Sequence, residues 1–260
     1  MLINTVLVFL NNALPAFFLI SISAAILKPF SINSKWKYGA VVAGIVGAIV
    51  LSSAMSFISQ LYQGVGAELI DAMFHFIIFV ILLLQIYYFM QADFTEASTA
   101  NRNLFVLGVA FVITLNGSNL LIYLQGFWAS NESINAILIG SILGFGISLS
   151  SALLLLYILR SSLLTAWLKI PYVAFIFATA RQLSEFSINL IQADWIPSFE
   201  PLWNSSNLIT DNSELGRFLN ALLGYEASPT LTQAIFYNSG IIIPIVIFYL
   251  CKKRNPQVRL

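Results

Sequence analysis

Seven apolar runs, each long enough to cross a bilayer, decide most of what this chain can fold into. They fall at about residues 3–27, 38–59, 69–91, 104–127, 135–159, 170–192 and 234–250, and each ends in polar or charged residues. A hydrocarbon core about 30 Å thick is crossed by roughly 20 residues of helix. Helix also satisfies its own backbone while carrying unbroken apolar sequence, whereas a barrel strand alternates over short segments. Composition agrees: of 260 residues 59% are hydrophobic and 9% charged, with mean hydropathy +0.87, against about 25% charged in a soluble domain. The expectation is an all-α polytopic membrane protein, a single transmembrane domain over 1–260 whose first partner is the lipid bilayer. The hydrophobic start at Met1 lacks a basic segment and a small-residue cleavage pattern, so it reads as a retained first helix.

Seven spans put the two ends on opposite sides, and the basic residues decide which is which. Lys28, Lys35, Lys37, Arg102, Arg160, Lys169, Lys252, Lys253, Arg254 and Arg259 share one side, leaving Arg181 within span six and Arg217 in a long loop. This predicts an external N-terminus and a cytoplasmic C-terminus. Most acids, including Glu68, Glu132, Asp211, Glu214 and Glu226, fall outside. A net charge of +1 without a broad basic cluster gives no reason to expect nucleic acid. The single cysteine, Cys251, excludes an internal disulfide and an all-cysteine metal site. His75 is the one histidine and has no nucleophile near it in sequence, so no enzyme is expected. No glycine-rich nucleotide loop occurs, so transport would be passive or coupled to an ion or an external partner.

Polar residues interrupt two of the most apolar runs. LNNALPAFFL carries Asn11, Asn12 and Pro15; TLNGSNLLIYL carries Asn116, Gly117, Ser118 and Asn119. Asn12 and Asn116 are 104 residues apart, with Phe9 and Ile113 three positions before them. That recurrence suggests two three-helix repeats, about 1–91 and 104–192, inverted because their first spans enter from opposite sides, followed by an outer loop at 193–233 and a seventh helix at 234–250. Inverted repeats place a solute site at their interface near the midplane. Pro15 and the Gly117–Ser118 pair loosen a helix, so carbonyls there can face a cavity that holds a cation or water. The alternative is that the asparagines hydrogen-bond to neighbouring helices.

Few ionisable residues lie within the spans. Arg181 and Glu185, four apart, form either a structural ion pair or part of an ion or proton path. Asp71 and His75, also four apart, can hydrogen-bond or share a proton or metal; two ligands fall short of the three or four of a transition-metal site, so the metal stays unassigned. Glu68 with Asp71 and His75 forms a candidate outer mouth that attracts cations, or else a solvated face. Gly44 and Gly47 with Ala40 and Ala48, and Gly140, Gly144 and Ser148, mark close helix contacts. In the outer loop Leu215, Phe218, Leu219 and Leu222 share a face of a short helix that Gly224 ends, lying on the outer surface or serving as a lid or docking site.

The seven-span order, the two repeated polar positions and the ending LGYEASPTLTQAIFYNSGIIIP resemble the high-affinity iron permeases of the oxidase-dependent iron transporter family over roughly residues 1–250. Glu68 and Asp71 resemble the acidic pair opening that family's third span, Arg181 and Glu185 the arginine and glutamate of its sixth, and Gly224, Tyr225 and Pro229 the segment before its seventh. The family's Arg-Glu-x-x-Glu signature falls on Asn11, Asn12 and Pro15, and on Leu115, Asn116 and Asn119, so all four carboxylates are absent. The resemblance implies iron as a transported ion with no resident cofactor, a bacterial inner membrane, and candidate pathway residues Asn11, Asn12, Pro15, Asn116, Ser118, Asn119, Arg181 and Glu185. Neutral carboxamides in place of carboxylates imply altered substrate or weak transport. Alternatively the chain is a transport-inactive homologue that packs as an accessory subunit against a membrane or extracytoplasmic partner.

Overall fold

A computed structural model describes residues 2–26, 35–90, 96–129, 134–162 and 169–254. Lys28, Asp93, Glu132 and Arg259 lie outside the described residues. The helices are α1 (Leu2–Ile26), α2 (Lys35–Ile58), α3 (Gly66–Met90), α4 (Glu96–Ala129), α5 (Ile134–Ser162), α6 (Lys169–Gln192), the short α7 (Glu214–Leu223) and α8 (Leu231–Arg254). The chain is an all-α, multi-pass membrane protein. Among the described residues, α1, α2, α3, α4, α5 and α8 are long and apolar enough to cross a bilayer.

The remaining long helix, α6, has 24 residues but carries Arg181, Gln182, Ser184, Glu185, Ser187 and Asn189. Its residues from Ala178 to Ser184 are all buried, which is how a polar helix persists in such a protein: neighbouring helices, rather than lipid, surround it. It packs against α3, α8, α7 and α1.

The two most extensive helix contacts are α1 with α5 and α2 with α4, and they are built alike. A Cβ added at Gly144 would lie 2.6 Å from the Cβ of Phe9, and one added at Gly44 would lie 2.6 Å from the Cβ of Ile113. Gly140 meets Thr5 as Ala40 meets Val109 and Phe105. Small residues thus let the backbones close without hydrophobic collapse to drive them, leaving packing and weak hydrogen bonds such as Thr114 Oγ1 to the Gly44 carbonyl (3.3 Å).

α1 runs as one helix through Pro15, and α4 runs through Gly117–Ser118; neither is broken. The local consequence of Pro15 is smaller: it has no N–H for the Asn11 carbonyl, so one rung of the ladder is missing where Asn11 stands.

The short helix forms over the residues expected of it. Leu215 and Phe218 of its apolar face remain exposed. Ser213 caps its N-terminus through Oγ (3.0 Å to the Gly216 N–H), and Gly224, at φ 72°, ends it, but between these caps it wedges against α1 and α6. Phe218 meets Phe18 edge-to-face at 5.3 Å, and Ala221 packs with Leu14, Phe18 and Ala152. Phe18 is about 24 Å along α1 from Leu2, at 1.5 Å per residue. α7 therefore packs beside the C-terminal half of α1 rather than at its start. Its carbonyls find side-chain donors there: Arg181 Nε donates to the Asn220 carbonyl (3.1 Å) and Tyr237 Oη to the Leu223 carbonyl (2.6 Å).

At the end of the bundle opposite α7, Leu19, Ile22, Ile78, Leu82, Val112, Leu159 and Phe175 form a continuous apolar core. The polar residues collect above it.

Candidate functional site

Between α1, α3, α4 and α6, and roofed by α7 and its flanking loop, lies a cavity of about 410 Å³. From α1 come Asn11, Asn12 and Pro15; from α3, Asp71 and His75; from α4, Asn116 and Asn119; from α6, Arg181, Glu185 and Asn189; and from the loop and α7, Asp211, Asn212, Arg217, Asn220 and Glu226. The structure thus brings most of the sequence-derived candidates to one space. Ser118 is not among them: it is fully buried, and its hydroxyl donates to the Leu115 carbonyl at 2.8 Å. Glu68 lies just outside the wall, in the first turn of α3.

The carboxamides are oriented by their own helices. Asn12 Nδ2 donates to the Val8 carbonyl, Asn116 Nδ2 to the Val112 carbonyl and Asn189 Nδ2 to the Glu185 carbonyl, each at 2.9 Å. Each bond spans one helical turn and uses one of the two amide N–H groups, leaving the carbonyl oxygen and the second N–H for the cavity. These asparagines do not bridge to neighbouring helices.

Charged residues divide into paired and unpaired. Arg181 Nη2 meets Glu185 Oε1 at 2.9 Å, both largely buried, so this ion pair neutralises itself. Asn119 and the Asp71 carboxylate share the cavity wall. His75 does not pair with Asp71; its Nδ1 lies 2.8 Å from Gln182 Oε1 on α6. One oxygen each of Glu68, Asp71 and Glu226 is buried with no hydrogen-bond partner. In the loop, Asp211 accepts the Ala227 N–H at 2.8 Å. Burial, with Glu185 and Asp211 nearby, pushes the Glu226 carboxyl up from its ordinary 4.5 to about 7. Four carboxylates against two guanidiniums line the cavity, an excess of negative charge that favours a cationic species. Among the described residues no three histidine, cysteine or acidic side chains converge closely enough to hold a metal ion.

Asn189, Asn220, Arg217 and Glu226 were missing from the candidates read from sequence. Asn189 follows Glu185 by four and Arg181 by eight, which is one helix face, so periodicity alone could have added it. The α7 residues gave no such signal, because nothing local announces that a loop helix packs against the bundle. No protein-family model, characterised protein or solved structure matches the chain.

Proposed function

We propose that this chain is a permease-type membrane protein, made of two inverted three-helix repeats and a seventh helix, that takes a cationic solute into the carboxamide-lined cavity from the α7 side. One observation carries the reading: a single cavity joins Asn12, Asn116 and Asn119 to Asp71 and Glu185. Isolated hydrogen-bonding asparagines would not need a shared water-sized space.

The packing supports the repeats. Exchanging α1 with α4, α2 with α5 and α3 with α6 turns the α1–α5 contact into the α2–α4 contact and leaves α1–α4 and α3–α6 unchanged; all four occur. The glycines obey the same exchange, Gly44 on Ile113 and Gly144 on Phe9. In this reading α6 is the sixth of seven crossings, its Arg181 face buried among helices, and the α7 face is external.

A hard metal ion is the cargo that the likeness to iron permeases supplies. Carbonyl dipoles at Asn12 and Asn116 hold ferric iron less well than carboxylates do, which favours a less highly charged ion. Accessory-subunit behaviour is the second reading, favoured by the apolar core that closes the bundle beneath the cavity.

Sided labelling tests the geometry. In a Cys251→Ser background, Asn119→Cys in oriented vesicles is expected to react with a membrane-impermeant thiol reagent added on the α7 side. Protection from both sides would remove the external cavity and with it the permease reading.

A further inference from the structure

Arg217 is the cavity residue that a bare-cation site leaves without a task. It stands in α7, beside the Phe218 that packs on Phe18, and it lines the cavity roof. The ion pair found among the described residues belongs to Arg181 and Glu185, so Arg217 has no carboxylate partner. Its guanidinium is half-buried at the cavity roof, and its planar fork suits a carboxylate through two parallel hydrogen bonds.

Opposite charge also awaits a partner. Asp71 and Glu226 each present a buried oxygen that no protein donor reaches, while Glu185 is already occupied by Arg181. The wall between is carboxamide, able to donate and accept. The volume, about 410 Å³, equals roughly a dozen waters at about 30 Å³ each, far more than one ion fills and about right for a small organic molecule.

We propose that the occupant is a small carboxylate that also bears a positive centre, its carboxylate on Arg217 and its positive centre toward Asp71 and Glu226. This rests on the reading of the cavity as the solute site of a permease and replaces its bare cation with a positive centre that travels with a carboxylate. The positive centre has two sources with the same recognition chemistry: an ammonium group, as in an amino acid or betaine, or a metal ion chelated by a carboxylate.

Calorimetric titration of the purified full chain in detergent separates them. The probes are the common amino acids, β-alanine and glycine betaine in the presence of EDTA, magnesium and ferrous citrate without it, and propionate, ethylammonium and magnesium chloride as half-ligands. Saturable binding of a zwitterion in EDTA assigns the ammonium source; binding of a metal citrate alone assigns the chelate. In either case Arg217→Gln is expected to weaken binding about tenfold or more, the scale of a lost charge-assisted hydrogen bond, and Arg217→Lys to restore part of it. A monodisperse elution profile for Arg217→Gln establishes that the variant is folded. The inference is overturned if no carboxylate probe binds, if magnesium chloride binds as tightly as any of them, or if Arg217→Gln binds like the native chain. Vesicle flux of a bare cation unaffected by Arg217→Gln would leave the permease standing and remove this solute class. Carboxylate binding without flux would do the reverse.

Discussion

Arg181 does two jobs at once, and its loss separates them. Its Nη2 holds Glu185 and its Nε holds the Asn220 carbonyl of α7. Arg181→Met leaves a largely buried carboxylate without a counter-charge, a change worth about 3–5 kcal/mol when one partner of a buried pair is removed. The expected result is a clear fall in the thermal midpoint in detergent, mostly recovered when Glu185→Met is added, because the pair then disappears together. Equal losses in the single and double variants would mean that the α7 carbonyl, and not Glu185, is the important partner. Glu226 makes a second residue-scale prediction. Its folded carboxyl keeps a proton to about pH 7, while an ordinary one loses it near 4.5. The folded state therefore binds more protons between those values, so stability is greatest below about 4.5, falls as pH rises to about 7, and is flat above. Glu226→Gln should abolish that slope in the thermal midpoint between pH 4.5 and 8; an unchanged slope would assign the titration elsewhere.

Helix pairs carry the next test. Gly44 and Gly144 occupy matching places in the two close contacts, so Gly44→Ala and Gly144→Ala should each destabilise by about 1–3 kcal/mol, the scale of overpacking. Gly146, where an added Cβ meets nothing within 4 Å, should tolerate alanine. A cost at Gly146 equal to that at Gly144 would remove the packing account. These contacts were readable from four-residue spacing, as was the end of α7 at Gly224. The wedge itself was not. Leu215, Phe218, Leu219 and Leu222 describe an apolar face, and periodicity alone gives no sign that Phe218 meets Phe18 or that the Asn220 carbonyl meets Arg181.

At the scale of the whole molecule, the sequence carried the helices and the meeting of Asn12, Asn116, Asp71 and Glu185, because burying polar residues in hydrocarbon leaves them few places but one another. It missed what depends on pairing across the fold. Four-residue spacing lets His75 pair with Asp71, but its Nδ1 lies against Gln182 of α6 instead. The carboxamides at Asn12 and Asn116 are tied to their own helices and carry no charge, so the charge in the cavity comes from α3, α6, α7 and the loop.

The cavity is the centre of this account, and solute flux into reconstituted vesicles tests it most directly. Radiolabelled ferrous iron and other cations, and the carboxylates that bind the purified chain, would be followed in vesicles containing the native chain, Asp71→Asn or Glu185→Gln. The account predicts uptake above empty vesicles for the native chain and a fall of about tenfold or more in Asp71→Asn, the scale of one lost charge-assisted contact. Background flux in all three would contradict it.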